Sequence, residues 1–193
     1  MIEFDYPRER MLEDIRAREG EPALSELSDP RSLSEFVTRD NARLLVRVHD
    51  PEEFLPWFDR AMQGRFSALP EEYLARNLLR PIRKAVGNAH KRGNRLAPDK
   101  WISVEVVATR DGVFVEVSDE GAGFDVARTF ATFRAGGVYF QHKGSGFRRY
   151  NQTKAVVSFA NGGRTLRACF RAPDPELALR ESLDRSARIR RSR

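Results

Sequence analysis

Residues 117–124, Val-Ser-Asp-Glu-Gly-Ala-Gly-Phe, end a run of alternating apolar side chains with a carboxylate and two glycines. Residues 102–107 and 113–117 alternate with a period of two on either side of Arg-Asp-Gly at 110–112, which predicts a β-hairpin. The hairpin delivers Asp119 to one end of the sheet. Glycines at that end let the backbone approach a phosphate, which a larger side chain would block. On its own, Asp-x-Gly-x-Gly is also typical of an ordinary turn after a strand.

A strand and two helices are predicted before this hairpin. Residues 43–48 alternate as a strand. An amphipathic helix is predicted over residues 51–63, because Asp50 is a suitable N-cap and proline fits the first helical turn. A longer apolar stripe with helical spacing runs from about residue 70 to residue 91. Pro81 lies inside that stripe and predicts a kink or a break, because proline lacks the backbone donor.

A closing hairpin is predicted over residues 155–160 and 164–171, joined by Asn-Gly-Gly. Together the elements predict an α/β (α+β) two-layer sandwich, in which helices cover one face of a mixed, mostly antiparallel sheet. We assign this domain to residues 41–172. Residues 1–40 are predicted to be an N-terminal helical extension, and residues 173–193 a basic C-terminal tail.

Length and composition are those of an intracellular globular protein. The chain has 193 residues and 40% hydrophobic content, which suits one domain with extensions. Cys169 is the single cysteine and lies in an apolar strand pattern, which indicates a small buried side chain rather than a nucleophile. No run approaches the roughly twenty apolar residues that cross a bilayer, and the first residues lack a signal-peptide pattern. We therefore expect a cytoplasmic protein without a membrane partner.

The formal net charge of +6 is partly concentrated at the end of the chain. Five arginines lie among the last nine residues, at Arg185, Arg188, Arg190, Arg191 and Arg193. Such a tail is typical of a frayed, solvated terminus, and it is also suited to contact nucleic acid or an acidic partner. Apart from this tail, nucleic acid is not an expected partner.

Two further motifs flank the Asp119 stretch. Residues 88–94 read Asn-Ala-His-Lys-Arg-Gly-Asn, and residues 143–147 read Lys-Gly-Ser-Gly-Phe. With Asp-x-Gly-x-Gly between them, these motifs resemble the sequence boxes of the GHKL (histidine-kinase-like) ATPase family over roughly residues 42–171. That family includes histidine kinases, gyrase-type topoisomerases, mismatch-repair ATPases and anti-sigma-factor serine kinases. The resemblance implies a Bergerat-type site that binds ATP and Mg²⁺ between helix and sheet.

The resemblance also implies a role for each matching residue. The Asp119 carboxylate would hold the adenine amino group with help from the Thr165 hydroxyl, although threonine is also a common strand residue. Asn88 would be a Mg²⁺ ligand through its side-chain oxygen, although a helical asparagine also bonds locally. The other implied nucleotide-binding residues are Gly121, Gly123, Lys143, Gly144 and Gly146.

The spacing of the motifs indicates which branch of the family the chain resembles. Only about twenty residues separate the Asp119 box from the Gly144 box. This spacing and the run at residues 88–94, with Arg92 where histidine is usual, resemble the bacterial anti-sigma-factor serine kinases. Those relatives sequester a sigma factor and phosphorylate a serine on an antagonist protein. The implied partners are therefore a sigma factor or an anti-sigma antagonist-type protein, with a homodimer also open.

Position 84 departs from the family pattern. The general base of the family is a glutamate four residues before Asn88, and this chain has Lys84 there. An ammonium has no lone pair to accept a proton, so we expect weak or absent kinase activity. Lys84 would instead pair with a phosphate and partly replace magnesium, or lie solvated on the helix. Glu71, Glu72 and Glu120 are the alternative candidates for the base.

Residues 126–142 are polar and contain glycine, which suits a lid over the triphosphate. Four aromatic side chains of this segment suit either the core, which we favour, or stacking on adenine: Phe130, Phe133, Tyr139 and Phe140. The sequence thus predicts an ATP-binding regulatory protein with weak or absent kinase activity. The alternative is a pseudo-enzyme scaffold that binds a partner protein and no longer binds nucleotide.

Overall fold

One five-stranded antiparallel sheet forms the centre of the protein in a computed structural model. The strands are β1 (Asn41–Val48), β2 (Ile102–Thr109), β3 (Gly112–Asp119), β4 (Val156–Ala160) and β5 (Thr165–Arg171). Their order across the sheet is β1-β2-β3-β5-β4. The structure describes residues 2–3, 6–18, 24, 27, 30–136 and 145–191.

Helices precede, connect and follow the strands. The α-helices of the described residues are α1 (Arg8–Asp14), α2 (Pro30–Thr38), α3 (Pro51–Arg65), α4 (Glu71–Leu74), α5 (Arg80–Asn88), α6 (Val126–Arg134), α7 (Ser145–Asn151) and α8 (Pro175–Arg191). Two π-helical segments, Ala75–Leu79 and Ala89–Gly93, follow α4 and α5. The N-terminus of α3 has the predicted cap, because the Asp50 side chain accepts a hydrogen bond from the Glu52 backbone N–H at 2.8 Å.

Both predicted hairpins are confirmed. β2 pairs with β3 so that Ile102 lies opposite Asp119, and β4 pairs with β5 so that Ala160 lies opposite Thr165. The order β3-β5 brings the start of the closing hairpin next to Asp119, whose backbone N–H donates to the Arg164 carbonyl at 3.0 Å. Both hairpins therefore meet at the end of the sheet where the glycine-rich stretch begins.

The strand pairs of the sheet are all antiparallel. Parallel pairing occurs in the described residues only at two single bridges, one between Ile2 and Val157 and one between Leu24 and Leu44. The prediction that the sheet is mostly antiparallel is therefore confirmed. The prediction that it also contains parallel strands is not, because the parallel contacts are single bridges. The bridges lie at the two edge strands, so the N-terminal residues cover exposed sheet edges.

Helices lie on both faces of the sheet, which corrects the prediction that they cover one face. On the first face, helices α3 and α5 enclose the main core, where Val106 and Val115 are fully buried. On the second face, Met11 of α1 packs with Phe114 and Cys169 in a separate cluster. Because side chains alternate along a strand, apolar residues such as Val107 and Phe114 point away from the main core and require cover on the second face as well.

Cys169 is a buried apolar residue, as the sequence predicts. Its thiol donates a weak hydrogen bond to the Met11 carbonyl at 3.3 Å. Burial raises the pKa of Cys169 to about 12. The thiolate is the reactive form, so this cysteine is chemically inert at neutral pH.

An ion-pair cluster joins the N-terminal residues to the second face. Glu105 of β2 is 8% exposed, and both of its carboxylate oxygens accept hydrogen bonds from Arg8, at 2.8 and 3.0 Å. Arg43 donates to the same carboxylate at 2.8 Å. The buried Glu105 carboxylate thus has two cationic hydrogen-bond donors. Its removal would leave the guanidinium groups of Arg8 and Arg43 without their carboxylate partner. Helix α1 is thus bound to the sheet by charge as well as by apolar contact.

Pro81 does not break the helical path, so of the kink or break that the sequence predicts, the break does not occur. The backbone remains in the right-handed helical region at Leu79 and Arg80, and the hydrogen-bond pattern changes to π just before the proline. Pro81 has no N–H for the carbonyl of Asn77, and the Thr153 hydroxyl donates to that carbonyl instead at 2.5 Å. This hydrogen bond from Thr153 attaches the connection between α7 and β4 to the helix.

The C-terminal segment is a helix rather than the simple basic tail that the sequence predicts. Ala178 of α8 is fully buried, and Glu181 pairs with Lys154 at 3.2 Å. These contacts hold the first half of α8 against the domain. None of the helices in the described part of the chain is long and apolar enough to cross a bilayer.

Arg65, at the end of α3, connects three elements through backbone carbonyls. Its guanidinium donates to the carbonyls of Phe36, Val37, Arg39, Asp40, Ala108 and Thr109. Burial lowers the pKa of Arg65, while the charge of Asp40 opposes that shift. The planar guanidinium has enough donors to reach all of these acceptors at once, which an ammonium on a single nitrogen does not. Arg65 thus fixes the end of α2 against the sheet.

We expect Arg65→Lys to lower the free energy of unfolding by about 2–4 kcal/mol, because several buried carbonyls lose their donor. Urea unfolding followed by circular dichroism measures this change. Arg60→Lys is the matched control on the exposed side of α3, and its effect should stay within about 0.5 kcal/mol. Equal effects of the two substitutions would contradict the role assigned to Arg65.

Candidate functional site

A cleft of about 490 Å³ lies between α5, α7 and the end of the sheet. Helix α5 and the turn after it contribute Lys84, Ala85, Asn88, Ala89, Arg92, Gly93 and Arg95. The sheet end and its loops contribute Asp119, Ala122, Gly123, Phe124, Phe159, Gly163, Arg164 and Leu166, and α7 contributes Gly146, Phe147 and Tyr150. Segments far apart in sequence therefore form one concave surface.

Asn88 and Lys84 lie one helical turn apart and both line the cleft. The Asn88 side-chain amide donates to the Tyr150 hydroxyl at 3.4 Å, so its side-chain oxygen is the atom left to face a ligand. Gly146 lies close by, because a methyl group there would be 3.4 Å from the Asn88 amide nitrogen. Burial raises the pKa of Tyr150, which keeps that hydroxyl neutral. The first and third sequence motifs thus meet across the cleft.

Asp119 lies at the end of β3, where the Gly93 backbone presses against its carboxylate. A methyl group at position 93 would be 2.2 Å from Cγ of Asp119, which no structure tolerates. One carboxylate oxygen accepts a hydrogen bond from the Gly121 backbone N–H at 2.8 Å. Burial raises the pKa of Asp119, and the Gly121 bond, Arg164 and Lys100 oppose the shift. The second oxygen has no hydrogen-bond donor among the described residues and is available to a ligand that donates.

The loop after Asp119 also needs glycine. Gly123 has φ of +72°, and a methyl group there would lie 2.1 Å from the Gly162 carbonyl. Gly121 is restricted in a different way, because a methyl group would lie 2.2 Å from the Gly93 carbonyl. These glycines are therefore required by the packing of the loop, whether or not a phosphate approaches them.

Thr165 lies below the surface of the cleft. It is 1% exposed, and its hydroxyl bonds to the Ser118 hydroxyl at 2.8 Å and accepts from the Asn161 amide at 2.9 Å. Thr165 does not belong to the lining residues of the cleft. In this arrangement Thr165 supports the strand end next to Asp119, and direct contact with a base would require those bonds to rearrange.

Asn94 is a positioning residue that the motif analysis did not single out. It is 1% exposed, and its side chain both donates to the Trp101 carbonyl at 2.9 Å and accepts from the Glu120 backbone N–H at 2.8 Å. These two bonds join the turn after α5 to the loop after β3. The available signal was the asparagine at the end of the 88–94 motif, in a turn where its amide can bond to the backbone.

None of the three alternative bases lines the cleft. Glu120 accepts from Arg47 at 2.9 Å and from the Trp101 backbone N–H at 3.1 Å. Glu72 is engaged by Arg80 at 2.8 and 2.9 Å, and Glu71 is exposed on α4. A base must lie within hydrogen-bond reach of the proton that it accepts, so these carboxylates do not replace a glutamate at position 84.

The aromatic residues form one apolar wall of the cleft. The rings of Phe147 and Phe159 are stacked with centroids 5.3 Å apart, and Phe124 packs edge-on against Phe159 at 5.6 Å. Phe130 and Phe133 of α6 pack behind Phe147, at 6.1 and 5.9 Å. Phe130 and Phe133 are therefore partly buried side chains that pack against the core, which is the arrangement favoured from the sequence.

Part of the predicted site falls outside the described residues. Tyr139, Phe140, Lys143 and Gly144 all belong to this group. The predicted lid segment begins with helix α6, which ends at Arg134. The positions of these four residues stay predictions.

Cations dominate the polar lining of the cleft. Lys84, Arg92, Arg95 and Arg164 line it, against the single carboxylate of Asp119 among the lining residues. Lys84, Arg92 and Arg95 have no ion-pair partner in the part of the chain that the structure describes. Uncompensated positive charge in a concave site attracts anions. The cleft thus combines an apolar wall, one carboxylate and a cationic rim.

The cationic rim includes strained backbone. Arg95 and Leu96 have φ of +56° and +60°, in the left-handed region that residues with a Cβ rarely adopt. The Leu96 backbone N–H donates to the His90 carbonyl at 3.0 Å and thereby closes the helix end. Glycine is the usual residue at such a helix end. Arginine at position 95 therefore lowers the stability of the fold, and it places a cation at the cleft.

The donor set of the cleft does not suit a magnesium ion well. Magnesium prefers oxygen ligands, usually with one or two carboxylates. Near Lys84 the lining offers the neutral Asn88 oxygen, and the described residues contain no group of three metal-binding side chains. An ammonium one helical turn from Asn88 repels a divalent cation. The magnesium role of Asn88 stays a prediction that these neighbours do not favour.

No protein-family model matches this chain, and no curated protein matches it. The function of the cleft is therefore inferred from its residues and its geometry.

We expect Asp119→Asn to stabilise the empty protein at neutral pH. Burial raises the folded pKa of Asp119, so the wild type loses stability as the pH rises from the unfolded pKa through the folded pKa. Asparagine keeps an acceptor for Gly121 and carries no charge. The difference in free energy of unfolding, variant minus wild type, should therefore grow in the positive direction between pH 4 and pH 7 in urea titrations. A difference that is constant or falls with pH would contradict this assignment.

We expect Arg95→Gly to raise the free energy of unfolding by about 1 kcal/mol, because glycine adopts positive φ without the Cβ penalty. Thermal and urea unfolding measure this change. Lys91→Gly is the control in the adjacent helical segment, where glycine should lower stability by about 1 kcal/mol. If both substitutions destabilise the protein, Arg95 is not strained.

Proposed function

We propose that this protein is an ATP-binding regulatory protein that resembles the anti-sigma-factor serine kinases and has weak or absent kinase activity. In this proposal nucleotide occupancy of the cleft controls binding of a sigma factor or an anti-sigma antagonist-type protein. The observation that carries the proposal is the convergence of the three sequence motifs on one cleft. Asn88, Asp119, Gly123 and Gly146 all line it, although they belong to three separate segments of the chain.

The shape and chemistry of the cleft suit a nucleotide. Its volume of about 490 Å³ lies in the range of small-molecule sites. Phe124, Phe159 and Leu166 supply apolar surface for a base, and the free oxygen of Asp119 can accept a hydrogen bond from an amino group. The cationic rim supplies charge for phosphates. Adenine presents an amino group at the position where guanine has a carbonyl, which favours ATP over GTP.

The proposed loss of kinase activity follows from the side chain at position 84. Lys84 lines the cleft and cannot accept a proton while it is charged. Glu71, Glu72 and Glu120 are absent from the lining, so they do not supply the base. Binding and release of nucleotide, without phosphate transfer, is the remaining way for this cleft to switch a partner.

A scaffold that binds a partner protein without nucleotide is the second candidate. The supporting observation is on α8, where Leu177, Leu179 and Leu183 are 53%, 51% and 61% exposed. Leu179 and Leu183 lie one helical turn apart on the same side of α8, as in helices that bind into a groove of a partner protein, whereas Leu177 lies on a different side. This surface is compatible with either candidate, so nucleotide binding is what separates them.

We expect calorimetric titration with ATP to show binding with 1:1 stoichiometry, and no release of ADP from the same sample over several hours. Asp119→Asn should weaken ATP binding by about tenfold or more, because the only oxygen of the amide already accepts from Gly121. GTP should bind more weakly than ATP to the wild type and should respond less to the substitution.

Asp184→Asn is the matched control on the exposed surface of α8, and its ATP affinity should equal that of the wild type. Unchanged ATP affinity in Asp119→Asn would exclude the proposed adenine contact. Absence of binding at millimolar ATP would favour the scaffold. Steady ADP release would show that a base exists and would remove the proposed loss of activity.

A further inference from the structure

We propose that the cleft binds its polyphosphate ligand free of magnesium, with the Lys84 ammonium supplying the positive charge that a metal ion would otherwise bring. This inference rests on the proposed nucleotide function and specifies the form of the ligand. It is carried by the position of Lys84, by the charges around it and by the poor set of metal ligands.

Lys84 is a cation whose described surroundings do not neutralise it. Its neighbour Arg83 points to α3 and pairs with Asp59. Lys84 instead lines the cleft, is partly exposed, and has no ion-pair partner among the described residues. The two adjacent cations therefore face different sides of the helix, and Arg83 is held in an ion pair. Lys84 is left to face the cleft.

A metal ion beside Lys84 would find few ligands and a like charge. The Asn88 amide nitrogen donates to Tyr150, so Asn88 offers a metal ion only its neutral side-chain oxygen. The only carboxylate of the described lining is Asp119, which belongs to the sheet end and already accepts from Gly121. Residues 137–144 contain no aspartate or glutamate in their sequence. Magnesium in its phosphate complexes is typically held by one or two protein carboxylates, and the described lining of this cleft places none beside Lys84 and Asn88 on the helix.

A polyphosphate without a metal suits the same surroundings. It carries more negative charge than its magnesium complex, and Lys84, Arg92 and Arg95 supply positive charge and have no ion-pair partner among the described residues. A lysine ammonium contacts phosphate as a point charge with three donors. In this arrangement magnesium competes with Lys84 for the phosphate oxygens, so added magnesium should not strengthen binding.

The experiment measures the affinity of the full chain for two probes, ATP and inorganic tripolyphosphate, each with excess EDTA and with excess Mg²⁺. The variants are Lys84→Gln, which removes the charge, and Lys84→Glu, which reverses it and adds a carboxylate one turn from Asn88. Lys91→Gln and Lys91→Glu are the matched controls, because Lys91 is exposed and does not line the cleft. Thermal unfolding of every variant confirms that it is folded.

We expect the wild type to bind both probes in EDTA at least as tightly as in Mg²⁺. Lys84→Gln should weaken binding in EDTA at least tenfold, and Lys84→Glu should bind ATP only when Mg²⁺ is present. The Lys91 variants should change affinity less than threefold. ATP binding that disappears in EDTA would overturn this inference and leave the proposed function intact. Binding of tripolyphosphate in EDTA that depends on Lys84, without ATP binding, would support the inference and exclude the adenine site. Equal effects at positions 84 and 91 would also overturn it.

Discussion

The close packing of the Gly93 backbone against the Asp119 carboxylate is the constraint on which the cleft depends. It brings the end of the long helical region to the end of β3, and no side chain fits between them. Gly121 packs against the Gly93 carbonyl from the other side, and the Asn94 side chain bonds to both neighbouring loops. Helix and sheet are thereby held at a fixed distance, and α7 closes the third side through Tyr150.

This constraint also determines the chemistry of the site. The contact excludes water from one side of the Asp119 carboxylate, which raises its pKa, and a single backbone donor from Gly121 compensates in part. A carboxylate that is partly desolvated and only partly satisfied destabilises the empty protein. The strained backbone at Arg95 acts in the same direction. Asp119 and Arg95 thus place two such costs at the cleft, whereas the buried parts of Arg65 and Glu105 have hydrogen-bond partners.

The sequence predicted the local features well, because each depends on a short pattern. Alternation and an Asn-Gly-Gly turn were sufficient for both hairpins, and Asp50 with the following proline was sufficient for the start of α3. Features that depend on distant partners were not predictable. Nothing near Thr153 indicates that its hydroxyl replaces the donor missing at Pro81, and nothing in the first residues shows that α1 covers the second face. The lining role of Lys84 also required the structure, since the helical spacing gives its register but not its surroundings.

The cations that lack an ion-pair partner among the described residues give the cleft a physical reason to bind an anion. Lys84, Arg92 and Arg95 lie around one concave surface whose described lining has a single carboxylate, so a bound anion would relieve their mutual repulsion. A ligand that binds the folded protein alone stabilises it in proportion to the logarithm of its concentration, and here it would also relieve repulsion between the helix end and the loops. Both sides of the cleft continue into elements that carry exposed surface, through α5 to the Arg83–Asp59 pair and through α7 to the Lys154–Glu181 pair with α8. An anion in the cleft would therefore neutralise cations on elements that also pair with α3 and α8, and this effect has no requirement for phosphate transfer.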